Sequence, residues 1–389
     1  MTSPSSSRKA QRNDQKALIF IPDISGFTEF VHNTEIHHAQ HIIEELLEVL
    51  IDTNEIGLEV SEIEGDAILF YRFGKAPTAA ELLAQIQRMY VNFQAHIRRY
   101  ETHRICQCGA CSATHKLSLK FVAHFGPITM NNVKEHSKLF GKDVIVAHRL
   151  LKNDVKDPEY ALFTHSLVRA CETWVELPTV AWANVDQGSG EYDYGTTKYC
   201  SLSLSPLQMH VPEPKVEDYA LPGTPKMIME SEGVINAPIN MVFDVLSDLS
   251  FRHRWQLPLV GSDKLNSKIT KNGSTHRCVI KGDDSDPLIV SHDFKKKGNV
   301  ITFTDTSQRS GFVSVFTLRE LGPQLTRAHV STFARGNVIK LLIYHLFMKK
   351  KSIELMDKSW KNLNDYCRKL MSEGRDHDSQ IVLLDANVA

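Results

Sequence analysis

The stretch SPLQMHVPEPKVEDYALPGTPK carries prolines at 206, 212, 214, 222 and 225. Proline fixes φ and removes a backbone donor, so neither a helix nor the inside of a sheet runs easily through such a segment. The hydrophobic patterns before and after it must therefore close two separate cores. An extended linker is predicted over 206–225, between a first domain at 16–205 and a second at 226–372, with no internal repeat relating them. A chain of 389 residues, 42% of them hydrophobic, is long enough for both cores.

The ends are polar: residues 1–15, MTSPSSSRKAQRNDQ, are expected to be a disordered tail and 373–389 a mobile one. No signal-peptide core precedes the first domain, and no apolar run approaches the ~20 residues that span a bilayer. A cytoplasmic protein without a transmembrane segment is expected. The net charge of −1 speaks against nucleic acid as a partner. Seven cysteines, an odd number, fit a reduced compartment better than a disulfide framework.

In the first half the pattern reads strand (KALIFIPDISGF), helix (EIHHAQHIIEELLEVLIDTN), two strands turning at Gly65-Asp66, helix (TAAELLAQIQRMYVNFQAHIRRYE), paired strands around Gly126-Pro127, and helix (KDVIVAHRLLKN). That order predicts an α+β sandwich with helices on one sheet. After the linker come a strand, one or two short helices, and strands from Gly261 to Arg335. A long helix follows from Asn337 to about Met371, with Ile353, Met356, Trp360, Leu363, Cys367 and Leu370 on one face.

Three stretches suggest chemistry. In FIPDISGFTEF an apolar run stops at Asp23, and a glycine then opens a helix. Asp23 and Asp66, each at a strand end beside a glycine, can converge if their strands are neighbours, and two carboxylates suffice to hold Mg²⁺ on a nucleotide. The backbone N–H groups of Gly26, Phe27 and Thr28 would suit phosphate oxygens. Equally, Asp23 caps a helix and Asp66 occupies a hairpin turn. In CQCGACSATH, Cys106, Cys108 and Cys111 could share a structural Zn²⁺ with His103 or His115, act as reactive thiols, or be plain loop cysteines. His37, His38 and His41 lie together on the first long helix; with no carboxylate or cysteine partner, they read as a solvated face.

The motifs FIPDISGFT, EIEGDAILFY, LKFVAHFGPI and LFGKDVIVAHRLL stand in the order and spacing of the class III nucleotidyl cyclase domain, and residues 16–205 resemble it. The resemblance is closer still to an uncharacterised bacterial family of cyclase-like domains with a cysteine insert. It implies a ferredoxin-like sandwich, a nucleoside triphosphate ligand, and two Mg²⁺ or Mn²⁺ ions on Asp23, Asp66 and the carbonyl of Ile24. It also implies a homodimer, or pairing with a complementary cyclase domain. Arg149 matches the arginine that steadies the transition state across the dimer. The asparagine four residues earlier is Ile145. The base-reading positions fall on Glu62, as in guanylyl cyclases, and on Lys138, which departs from the pattern; the two would meet across the dimer interface. The metal half is thus kept, while the base-reading and transition-state half is altered.

The stretch EGVINAPINMVFDVLSDLSFRHRW, the strands after it and the long last helix resemble the START, polyketide-cyclase and Bet v 1 superfamily. That implies a helix-grip fold: an antiparallel sheet around a long helix, with an apolar cavity for a lipid or other hydrophobic small molecule, lined by Phe303, Phe312, Leu342 and Leu346. NVIKLLIYHLFMKKK reads as the grip helix, or as a membrane-surface helix. Three functions remain open: a divergent cyclase-like domain that binds metal and nucleotide beside a ligand-binding domain, an active guanylate or adenylate cyclase, and a lipid carrier whose first half only dimerises.

Overall fold

The structure, a computed structural model, describes residues 15–32, 36–103, 109–133, 136–171, 182, 184–214, 226–247, 251–264, 274–280, 288–308, 311–334 and 344–373. The chain divides into two compact units, one built mainly from residues before 215 and the other mainly from residues after it.

The chain begins with β1 (Gln15–Ser25), then α1 (Phe27–His32), α2 (Ile36–Asp52), β2 (Glu59–Glu64), β3 (Ala67–Phe73), α3 (Ala79–His103) and α4 (Gly109–Ala113); all of these belong to the first unit except residues 36–41, 99–103 and 109–112, which group with the second. It continues through β4 (Ser118–Val133), β5 (His136–Phe140), α5 (Lys142–Arg149), β6 (Tyr160–Thr164), α6 (His165–Ala170), β7 (Asp186–Tyr192) and β8 (Gly195–Ser203). The strands form one sheet in the order β2-β3-β1-β4-β6-β8-β7, with β5 beside β4. Only β4 and β6 run parallel among these pairs. This is the expected α+β sandwich. β1 sits near the middle and is buried from Ala17 to Ile24, which explains why its sequence is a continuous apolar run rather than an alternating one. One face packs Ile19, Ile21 and Val122 under Val144, Ala147 and Leu150; the other stacks Phe20 between Phe70 and Phe121.

Two local expectations change. Gly126-Pro127 does not turn the chain, because β4 runs straight through. Residues up to Ile128 pair with β1, and from Thr129 the strand pairs with β5 instead. The glycine serves close packing: a Cβ there would lie 2.2 Å from Asp143 Oδ1. The start of the expected linker is also packed. Ser205–His210 forms a short 3₁₀ helix with Leu207 buried, and Arg98 Nη1 donates to the Val211 carbonyl at 2.9 Å. Leu207 and Val211 are the apolar residues that hold this segment down.

The second unit has β9 (Lys226–Ile235), α7 (Ile239–Ser247), α8 (Arg252–Trp255), β10 (Leu259–Lys264), β11 (Ser274–Ile280), β12 (Leu288–Lys297), β13 (Val300–Ser307), β14 (Phe312–Gly322), β15 (Leu325–Ala334) and α9 (Lys349–Ser372). Its antiparallel sheet has the order β10-β11-β12-β13-β14-β15-β9, and β9 carries α9. The buried face of α9 includes Met356, Trp360, Leu363, Cys367 and Leu370, as the spacing predicts. Close approach is permitted by Gly233, where a Cβ would lie 2.7 Å from Trp360 Cβ. Trp360 Nε1 donates to Ser231 Oγ at 2.9 Å and Ser231 in turn to Asp357 at 2.7 Å, so the helix is tied to β9 by polar as well as apolar contacts. The regular α-helix starts at Lys349, after a π-helical turn over Tyr344–Met348. The expected helix residues 337–343 lie outside the described residues. No helix among the described residues is long and apolar enough to cross a membrane.

Candidate functional site

The site of the first unit is assembled at the end of β1. Asp23 stands opposite Ala67 of β3 on one side and Lys120 of β4 on the other. The Ile24 N–H donates to the Asp66 carbonyl at 3.0 Å, which brings the β2–β3 turn beside Asp23. That turn needs Gly65, whose φ is 65°, and the chain leaves β1 through Gly26 at φ 87°. Both angles favour glycine. Gly26 is doubly required, since a Cβ would lie 2.9 Å from the Lys116 carbonyl oxygen. The Phe27 ring edge would be 3.7 Å from a Cβ at Gly65, so the start of α1 and the turn holding Asp66 are neighbours. The first helical bond of α1 joins the Phe30 N–H to the Gly26 carbonyl; the N–H groups of Phe27 and Thr28 precede it, where helix geometry supplies no acceptor.

The electrostatics follow from this placement. Burial, and then the neighbouring Asp23 charge, push Asp66 up to about 6; its own backbone hydrogen bond and Lys120 act the other way. Lys120 Nζ lies 3.2 Å from Asp23 Oδ2, and both side chains are mostly buried. Two carboxylates therefore share one lysine, leaving an excess of negative charge in a half-buried place. This donor set is chemically suited to a hard divalent cation, for which Asp23, Asp66 and the Ile24 carbonyl would be the protein ligands. Among the described residues no group of three or more His, Cys, Asp or Glu side chains gathers as a metal cluster, so the remaining ligands would have to be phosphate oxygens or water. Lys120 was not singled out in the sequence. Its signal was its place opposite Asp23, which only the strand register reveals.

The positions matching the other half of the cyclase pattern are held by contacts of their own. Lys138 Nζ donates to Glu62 Oε2 at 2.7 Å within one chain, where a pairing across the dimer interface was expected. The reason is topological: β5 folds back beside β4 and reaches β2 of its own sheet. On α5, Ile145 is more than half exposed, and Arg149 pairs with Asp193 at 3.2 Å. An exposed pair of this kind is worth ~0–1 kcal/mol and releases its arginine readily. The helix itself is anchored firmly. His124 Nε2 bonds Asp143 Oδ1 at 2.7 Å in the first turn of α5, while His124 Nδ1 bonds Thr164 Oγ1 at 2.9 Å.

Of the proposed zinc ligands, Cys106 and Cys108 lie outside the described residues, as do the side chains of His103 and Cys111; His115 is exposed. On α2, His41 is buried rather than solvated, while the side chains of His37 and His38 are outside the description. Among the cavity residues, Phe303 is interior and stacks on Phe316 with ring centroids 4.8 Å apart. Leu346 does not line that interior, whereas Phe312 is on the same sheet face as Phe316, at its outer end. Phe312 is partly exposed at the sheet end against the Tyr344 ring, and Leu346 is 68% exposed on the π-helical turn, which presents Phe347 and Met348 outward as well. Leu342 is outside the described residues.

Comparison with known proteins places the chain. The family described as a protein of unknown function, DUF2652, matches residues 43–160. The uncharacterized protein Rv2561/Rv2562 of Mycobacterium tuberculosis (strain ATCC 25618 / H37Rv) is 31% identical over 169 residues, which span 43% of this chain and 77% of that protein. The chain belongs to the family of Rv2561/Rv2562. Among solved structures, the catalytic core of a rhodopsin-guanylyl cyclase with converted specificity, in complex with ATPαS, is similar at 16% identity over 49% of this chain and 96% of that one, with a TM-score of 0.35. The adenylyl cyclase CyaB from P. aeruginosa is similar at 13% identity over 48% and 93% of the two chains, with a TM-score of 0.30. The KanY protein is similar at 18% identity over 38% of this chain and 99% of its own, with a TM-score of 0.30. For this member of the Rv2561/Rv2562 family, the residues that carry a functional reading are its own: Asp23, Asp66 and Lys120 in the first unit, and the interior of the second.

Proposed function

We propose that the first unit binds a divalent metal with a nucleoside triphosphate, and that the second binds a hydrophobic small molecule, so that one chain joins a nucleotide signal to a ligand signal. The observation that carries this is the Asp23–Asp66 pair, with Asp66 lifted by burial and by Asp23, beside the countercharge of Lys120. The pair would hold Mg²⁺ or Mn²⁺ with the Ile24 carbonyl, and the metal would supply charge neutralisation for the triphosphate. Lys120 and the N–H groups at the start of α1 would contact phosphate oxygens.

Cyclisation is the weaker part of the chemistry. Ile145 offers no donor where one is needed, and losing a preorganised donor costs roughly 10²–10³ in rate. Lys138 and Glu62 satisfy each other, which removes two groups that would read a purine edge. The homodimer is therefore assigned nucleotide binding with little or no cyclic product. Pairing with a second cyclase-like domain is supported by the exposed apolar side chains of Val60 and Ile63 on β2 and Ile145 on α5.

The test uses the full chain with Mn²⁺ and fluorescent analogues of ATP and GTP. Binding is expected, and is expected to vanish in Asp23→Asn. Ile145→Asn combined with Glu62→Lys and Lys138→Asp should raise cyclic product above the unmodified level. Robust cyclase activity of the unmodified chain, abolished by Asp23→Ala, would overturn the reading.

A further inference from the structure

The core-facing side of the second sheet changes character along its strands. Cross-strand neighbours share a face, so the register defines rows across the sheet. Ile301, Leu318 and Ala328 make one row, Phe303, Phe316 and Val330 the next, and Asp305, Ser314 and Thr332 a third. The third row continues through Ser291 and Ser274 on β12 and β11. The same face thus passes from aliphatic to aromatic to polar within about 13 Å, at ~3.3 Å per residue.

Arg252, from the single turn α8, reaches the polar end. It is 2% exposed. Its Nη2 pairs with Asp305 Oδ2, and its Nη1 lies 3.2 Å from His276 Nε2. Its guanidinium carbon stands 6.0 Å from the Trp255 ring centre and 5.8 Å from that of Phe316. Ser291 Oγ donates to Asp305 Oδ1 at 2.5 Å, so both carboxylate oxygens are engaged. Two donors are left over, and beside them one acceptor, Gln256 Oε1, which is likewise buried and unpartnered among the described residues. Arg252 Nε and Trp255 Nε1 are buried and, among the described residues, have no hydrogen-bond partner. Burying a donor without a partner is costly, and both donors belong to one helical turn, with the Arg252 guanidinium carbon 5.8 Å from the Phe316 ring centre and its Nη2 paired with Asp305.

A ligand that repairs this must bring an acceptor, and the charges present decide which kind. Arg252 and Asp305 already cancel. A carboxylate added beside them would bury a net negative charge, which is strongly unfavourable. A carbonyl or hydroxyl oxygen accepts from both donors without adding charge, while its apolar body lies along Phe303, Phe316 and Val330.

We infer that the second unit takes an apolar molecule bearing a neutral carbonyl or hydroxyl group, held by Arg252 Nε and Trp255 Nε1; this rests on reading that unit as a ligand-binding domain. Beside the apolar lining expected from the sequence, the core-facing side of the sheet has a polar end. The signal was VITFTDTS in β13, where the inward positions run Ile301, Phe303, Asp305.

The test displaces Nile red from the full-length protein with decane, 1-decanol, 2-decanone and decanoate at pH 8. The ketone and the alcohol are expected to bind at least tenfold more tightly than decane or decanoate. Trp255→Phe keeps a ring to stack on Trp360 but removes one donor. It should weaken 2-decanone about tenfold and leave decane unchanged. Arg252→Lys keeps the charge opposite Asp305 but removes Nε, and should act in the same direction. Equal binding of all four probes, a preference for decanoate, or a ketone preference untouched by Trp255→Phe would overturn the inference while leaving a ligand-binding domain in place. Binding of none of the probes would overturn the inference together with the reading beneath it.

Discussion

Replacing Asp66 with asparagine separates the cost of the carboxylate pair from its use. In the folded chain Asp66 is raised from 3.8 to about 6, first by burial and then by Asp23. Because the folded value lies above the unfolded one, the unfolded chain releases its proton first. The folded state is therefore favoured at low pH, and that contribution is lost as pH rises through about 6. A difference of about 2 units corresponds to ~3 kcal/mol if fully expressed. Asp66 is only half-buried, and water around it screens roughly half of that, leaving ~1–2 kcal/mol. Asp66→Asn keeps the shape and the turn and removes the charge. In EDTA at pH 8 the variant should therefore be more stable than the parent by ~1–2 kcal/mol, with the difference shrinking toward pH 4.

The assay is urea unfolding read by hydrogen-exchange mass spectrometry on peptides from β1 and β3, which follows the first unit separately in a chain of two units. Saturating Mn²⁺ should reverse the order: ion at 100 times its Kd stabilises the parent by ~2.7 kcal/mol and the variant by far less. An Asp66→Asn protein that is less stable than the parent at pH 8 without metal would refute the electrostatic argument. Equal stabilisation of both by Mn²⁺ would refute the metal assignment.

Two other perturbations read neighbouring contacts. Lys120→Met removes the cation that competes for Asp23, so calorimetry should find Mn²⁺ alone bound several-fold more tightly and the Mn²⁺-triphosphate about tenfold more weakly, as a lost charge-assisted contact predicts. Gly233→Ala places a Cβ 2.7 Å from Trp360, an overpacking that should cost ~1–3 kcal/mol in urea unfolding of peptides from β9 and α9.

Much of the site was legible locally. Asp23 could be placed at a strand end because the apolar run stops there and a glycine follows, and Asp66 because Gly65 precedes it in a hairpin turn. These are short-range signals of periodicity and turn chemistry. Gly126-Pro127 misled for the same reason. As a dipeptide it reads as a turn, yet β4 changes partners there without turning, and the glycine answers to Asp143 on a helix 17 residues later. Leu346 was assigned to the cavity by hydrophobicity alone, which does not say which residue of a helical turn faces inward, while Phe312 keeps the inward face of β14 but stands at its exposed end.

The sequence by itself determined the two cores, the order of the first strands and helices up to β3 and α3, the glycine turns around the two carboxylates and the buried face of the last helix. Each of these depends on residues within a turn or two of one another. The tertiary structure alone decided that Lys120 stands opposite Asp23, that Lys138 closes on Glu62 inside one chain, and that Arg252 meets Asp305 from 53 positions away. Those meetings depend on strand register and on which strands are neighbours. A slip of one residue would turn the strand side chains among them, Asp23, Lys120, Glu62, Lys138 and Asp305, to the opposite face, and no local pattern records it.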